Sequence, residues 1–152
     1  MSKGLIIVIA IILFIGGWIL IDFGESVDND PQAPVSSDEV DSKIKDVEWN
    51  WINFSDPIEG EVGINDPENY TIILNSDGTM NIKADCNQAN TTYELNNGEI
   101  TVGLMAQTLA FCPPGSLSDQ FLIYLSQARI YFLEDENLYF DLELDSGTMK
   151  FE

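Results

Sequence analysis

From residue 47 onward the chain is cut into short runs of alternating apolar and polar residues by turn sequences, and that rhythm restricts it to a mainly β fold. The run Glu48-Trp49-Asn50-Trp51-Ile52-Asn53-Phe54 alternates, which places Trp49 and Trp51 on one strand face. Residues 70–74 and 80–84 flank Asn75-Ser76-Asp77-Gly78, a strong turn sequence. Residues 91–95 and 99–103 flank Asn96-Asn97-Gly98, where Asn-Gly favours the positive φ angles of a tight hairpin. A further pair, 130–133 and 138–142, surrounds residues 134–137, and a last strand over 148–151 follows Asp145-Ser146-Gly147.

One segment departs from this period. Leu117, Phe121, Leu125 and Ala128 recur at helical spacing and predict a helix over 117–128. Pro113-Pro114-Gly115 keeps it from starting earlier, and Ser116 with Asp119 resembles a capping box with Asp in the Glu position. The expected fold is a small antiparallel β-barrel or roll with one packed α-helix. Closing the sheet removes exposed strand edges.

The N-terminal part reads differently. Residues 4–21 carry no charge and number roughly 18, enough to cross a bilayer as a single helix. Lys3 precedes the run, Asp22 and Glu25 follow it, and Trp18 lies near its outer end. Positive charge favours the cytoplasmic side and indole rings favour the interface, so residues 1–3 are expected in the cytoplasm and all that follows residue 21 outside it. A cleaved signal peptide would need a shorter apolar core and a small-residue site, and neither is present. The expectation is an uncleaved transmembrane signal anchor over 4–21, a single-pass placement in the cell membrane, and an extracytoplasmic domain over 47–152. Between them, residues 22–46 hold Pro31, Pro34 and scattered acids, and read as an acidic disordered linker.

Composition removes several functions. With 26 acids against 6 bases the net charge is −20, which repels phosphate backbones and argues against any nucleic-acid partner. The sequence contains no histidine, which removes Ser-His-Asp and Cys-His nucleophilic arrangements and histidine-bearing zinc sites. The two cysteines, Cys86 and Cys112, lack Cys-x-x-Cys spacing and are expected to form one disulfide in an oxidising compartment. The alternative is a pair of buried free thiols packed as small hydrophobes.

Ala84-Asp85-Cys86-Asn87 ends a predicted strand, and Thr108 and Cys112 follow in the run from Met105 to Pro113. Together with Trp49-Asn50-Trp51, Asp66-Pro67 with Tyr70, Asp77-Gly78, Phe121 and Leu125, Tyr131, Leu138 and Phe151, these segments resemble the META domain family, which includes the heat-shock protein HslJ. The resemblance covers residues 47–151. It implies a small β-rich barrel or roll, frequent placement in bacterial envelopes, a link with stress or drug tolerance, and no cofactor. Many such relatives are thought to be lipoproteins; here no cysteine precedes Cys86, so the chain departs from them in how it is held.

The chemistry-bearing residues also have plainer uses. Asp85, Cys86 and Asn87 could hold a thiol nucleophile, but no histidine is available as base. The plainer reading has Asp85 and Asn87 capping backbone groups at a strand end, with Asn87 in a left-handed conformation. A carboxylate-based hydrolase needs two acids facing across a cleft, for which a small single core leaves little room. Asp77-Gly78 and Glu134-Asp135-Glu136 lack the Asp-x-Asp-x-Asp-Gly pattern of a calcium loop and read as turns, so no metal is expected. Asn53, Asn69 and Asn90 head glycosylation sequons. Trp49 and Trp51 fit core packing, or an apolar barrel mouth that takes a small ligand. The expected function is that of a non-enzymatic, membrane-tethered protein that binds an envelope partner or supports envelope integrity under stress.

Overall fold

The computed structural model describes residues 37–152. In chain order they form α1 (Ser37–Ile44), β1 (Glu48–Asp56), β2 (Gly60–Gly63), β3 (Tyr70–Leu74), β4 (Thr79–Ala84), β5 (Asn87–Asn96), β6 (Glu99–Val102), β7 (Ala106–Gln107), α2 (Ser118–Gln127), β8 (Ala128–Glu134), β9 (Asn137–Leu142) and β10 (Thr148–Phe151). Eight strands run antiparallel in the ring β1-β3-β4-β5-β6-β8-β9-β10, and β10 pairs with β1 to close it. The expected barrel is therefore a closed one. β2 takes over beside β1 from Asn53, where β3 has ended, and β7 takes over beside β5 where β6 has ended.

Alternation fixes the inner face. Met80, Ile82 and Ala84 point inward from β4, and Asn87, Ala89, Thr91 and Tyr93 do so from β5. At the β5–β6 turn, Asn97 (φ 51°) and Gly98 (φ 87°) take the positive angles that the Asn-Gly pair predicts. A barrel of about eight strands has an interior that side chains can fill. Here Trp51 and Phe121 stack with centroids 5.1 Å apart, and Phe140, Phe151, Leu125 and Leu138 pack fully buried beside them. α2 thus lends its buried side, Phe121, Leu122 and Leu125, to the barrel interior. It packs against β4, β6 and β9, and the ring is most sparsely paired between β6 and β8, which share the single pair Glu99↔Ile130.

Four expectations change. The linker read over 22–46 ends in helix α1, whose Ile44 is completely buried. Trp49 donates its indole N–H to the Ile44 carbonyl at 3.0 Å, the Tyr131 hydroxyl donates to Asp41, and the Asp46 N–H reaches the Leu74 carbonyl at 2.8 Å. A second helix therefore joins the one expected. In α1 only Val40 and Ile44 are apolar, an i, i+4 pair that the surrounding acids hide in a composition-based reading. The alternation in β1 is also broken. Register slips between Trp51 and Asn53, so Phe54 turns inward three residues after Trp51. The predicted capping box is absent: α2 starts after Leu117 without a side-chain cap, while the Ser116 hydroxyl accepts from Ser118 N–H and Tyr70 Oη accepts from Leu117 N–H. Finally, the left-handed residue at the β4–β5 turn is Asp85 (φ 55°), not Asn87, which is the first extended residue of β5.

The signal anchor over 4–21 and the linker over 22–36 lie outside the described residues. Among the described residues no helix is long and apolar enough to cross a membrane.

Candidate functional site

Asn87 enters the barrel wall pointing inward, where an unpaired amide would cost about 1–3 kcal/mol. It is fully engaged. Its Oδ1 accepts from Ala110 N–H at 2.8 Å and from the Thr108 hydroxyl at 2.9 Å. Its Nδ2 faces the Ala110 carbonyl at 3.3 Å, the Ser118 hydroxyl at 3.2 Å and the Cys112 sulfur at 3.3 Å. Thr108 adds a second tie, its hydroxyl accepting the Gln88 N–H at 3.0 Å. One residue away, Cys86 is bonded to Cys112 in a disulfide with Cα atoms 5.4 Å apart. The residues of the family motif, Ala84, Asp85, Cys86, Asn87, Thr108 and Cys112, thus meet in one place. Together they bind the segment 103–117 onto β5 and the start of α2.

That segment is unusual for this chain. From Ile100 to Ser118 there is no charged residue, in a protein of net charge −20. Met105 and Leu117 pack against the core, but three of its large apolar side chains do not fold inward: Leu104 is 100% exposed, Leu109 86% and Phe111 99%. A loop anchored at Asn87, Thr108, Cys112 and β7 thus presents hydrophobic groups on a fixed backbone. Sequence reasoning missed these three residues. The missing charge was readable, but only the structure separates a buried apolar stretch from a presented one.

Trp49 and Trp51 do not line a shared mouth. Trp51 is 1% exposed, sandwiched by Phe121 and edge-on to Tyr70 and Tyr124, and its indole N–H has no partner among the described residues. Trp49 is buried beneath α1 but reaches one wall of a cleft of about 380 Å³ bounded by Val40, Lys43, Leu133, Asp135 and Glu136.

The acids singled out in the sequence serve turns. Asp77 accepts from the Thr79 hydroxyl and N–H, and these bonds hold its carboxyl below the ordinary range. Ser76, through hydroxyl and N–H, does the same to Asp46, and the N–H groups of Glu59 and Ile58 do so to Asp56. Asp135 and Glu136 form the β8–β9 turn with positive φ. Among the described residues no group of three or more Cys, Asp or Glu gathers around an ion-sized point. Of the sequon residues, Asn90 points outward from β5, while Asn53 in β1 and Asn69 before β3 are half-buried.

A closed eight-stranded barrel with a helix packed into it, and the Asp85–Asn87 turn disulfide-bonded to a distant loop, defines the class. The chain belongs to the META domain family, whose model matches residues 42–151. The match takes in the last turn of α1. Two solved structures share the fold. A protein from Burkholderia xenovorans, determined by NMR, superposes with a TM-score of 0.63 at 17% identity, over 85% of this chain and 97% of its own. A DUF4847-family protein from Bacteroides vulgatus, determined by crystallography, superposes at 0.53 and 14% identity, over 74% of this chain and 95% of its own. No curated protein matches the chain.

Proposed function

We propose that this is a membrane-held, extracytoplasmic META protein that works by binding a protein partner of the envelope rather than by catalysis, and so supports envelope integrity under stress. The observation that carries the reading is the charge-free loop that presents Leu104, Leu109 and Phe111 to solvent on a backbone fixed by Asn87 and a disulfide. Large apolar groups presented to solvent by an uncharged loop suit an interaction site, and a preordered loop loses little entropy on binding. The uncharged run over 4–21 supports the tether, and the disulfide suits an oxidising compartment. The absence of histidine supports a non-enzymatic role.

The test is cross-linking in intact membranes followed by pull-down of the full chain, with wild type compared against Phe111→Asp and Leu109→Asp. A defined partner that wild type captures and both variants lose supports the reading. Equal capture by the variants contradicts it. A second reading, a small-ligand binder, draws on the Trp49 cleft. Saturable quenching of tryptophan fluorescence by a metabolite, abolished by Leu133→Asp, would favour it.

A further inference from the structure

Among the described residues β7 has a strand neighbour on one side only. The register Asn90↔Ala106 and Ala89↔Gln107, with Thr108 N–H donating to the Gln88 carbonyl at 2.9 Å, makes Ala106 and Thr108 the residues that bond to β5. Alternate residues of an antiparallel strand direct their backbone groups the other way. Met105, Gln107 and Leu109 therefore aim N–H and C=O away from β5. On that side β8 pairs with β6 at Glu99↔Ile130 alone, and α2 faces the edge across a groove. Between the free edge and α2 runs a groove of about 430 Å³ lined by Leu104, Met105, Gln107, Leu122, Ile123 and Ser126, with Asp119 the one charged residue on it.

Edges of this kind are ordinarily blunted by lysine, proline or inward charge, because open donors and acceptors template pairing with other chains. From Ile100 to Cys112 the sequence contains no charge and no proline. The edge is left open. A fixed strand edge beside a helix with an apolar groove is the arrangement in which an extended peptide adds a strand, its backbone on the edge and alternate side chains in the groove.

We propose that the Met105–Leu109 edge and the adjoining α2 groove take an extended segment of the partner as an added β-strand. The inference rests on the reading of this loop as a partner surface, and it specifies how the partner is held. The occupant is an uncharged, β-prone stretch with basic flanks: the groove offers apolar walls, while a net charge of −20 repels acidic segments and draws lysine or arginine toward the rim at Asp119. A second copy of this chain carries the same −20 and is disfavoured as the occupant.

The experiment uses the full-length, isotopically labelled chain in neutral detergent and a synthetic peptide of alternating valine and threonine flanked by lysines. Hydrogen exchange of the Gln107 amide is expected to slow by at least roughly tenfold on peptide addition, and binding is expected to vanish when alternate peptide amides are N-methylated. Gln107→Pro removes an N–H that the register aims away from β5, at an edge position of the kind proline can occupy. It should weaken peptide binding at least about tenfold with the melting temperature unchanged. Three results would each overturn the proposal: protection confined to other segments, equal binding of the N-methylated peptide, or Gln107 protection that appears without peptide as protein concentration rises. In the membrane cross-linking assay, a partner lost with Phe111→Asp but kept with Gln107→Pro would refute strand addition and leave the partner-binding function standing. A partner kept with both would refute both.

Discussion

Asn87 holds both backbone polar groups of Ala110: its amide oxygen accepts from the Ala110 N–H at 2.8 Å, and its amide nitrogen donates to the Ala110 carbonyl at 3.3 Å. One side chain thereby does for the 103–117 loop what a neighbouring strand would do. The loop keeps its conformation without an apolar core of its own, and this leaves Leu109 and Phe111, on either side of Ala110, free to point outward.

Replacing Asn87 by Ala should destabilise the protein by about 2–4 kcal/mol, since several hydrogen bonds are lost and the Ala110 N–H is left without its acceptor. Asn87→Asp should also destabilise, because it loses the donor and buries a charge. Chemical denaturation measures both, and exchange of the Ala110 amide should quicken in both. Unchanged exchange would show that the disulfide alone fixes the loop.

Cys86 and Cys112 are separated by 26 residues, and their bond should be worth roughly 3 kcal/mol in the chain-entropy model. Thiol counting on unfolded, unreduced protein should find none. Two free thiols would contradict both the bridge and the oxidising compartment.

Trp51 stacks on Phe121 in the barrel interior, and its indole N–H is buried without a partner among the described residues. Trp51→Ala should cost about 3–5 kcal/mol. Trp51→Phe should cost much less, because the smaller ring keeps the stack on Phe121 and removes the orphaned donor. Denaturant unfolding separates the two; equal losses would show that the indole N–H is satisfied.

The Tyr131 hydroxyl is pushed up from 10.0 to about 12, first by burial and then by the Asp41 carboxylate to which it donates. The folded state binds this proton more tightly than the unfolded state. Its contribution is therefore complete below the ordinary tyrosine value of 10.0 and lost as pH rises toward about 12. Ultraviolet titration should show a late-ionising tyrosine that Asp41→Ala brings to lower pH. If that variant leaves the titration unchanged, α1 is not seated on β8 through this pair.

The full chain should resist carbonate extraction from membranes. Ile9→Arg with Leu13→Arg should release it, each charge at the bilayer centre costing about 2.5–3.5 kcal/mol on the insertion scale. A mature N-terminus found between residues 22 and 46 would replace the anchor with a cleaved leader.

The strand ladder was legible because turns such as Asn97-Gly98 and the period-two runs of β4 and β5 are local signals. Helix α2 was legible from Phe121 and Leu125. α1 was not, since its helicity rests on Val40 and Ile44 meeting the barrel rather than on its own composition. β7, with only Ala106 and Gln107, is too short to carry a period. The motif around Cys86 is visible as a pattern, and Asn87 at its strand end reads as a cap for backbone groups. Which groups it holds is not legible, because its partners Ala110 and Ser118 lie 23 and 31 residues away and come near only once the barrel closes.

Photo-cross-linking residues placed singly at positions 104, 109 and 111, and at Asn81 on the outer face of β4 as a control, test the central claim in the living membrane. Adducts to one and the same protein are expected from the three loop positions and none from position 81. Adducts of equal yield from position 81, or none from the loop, would contradict it.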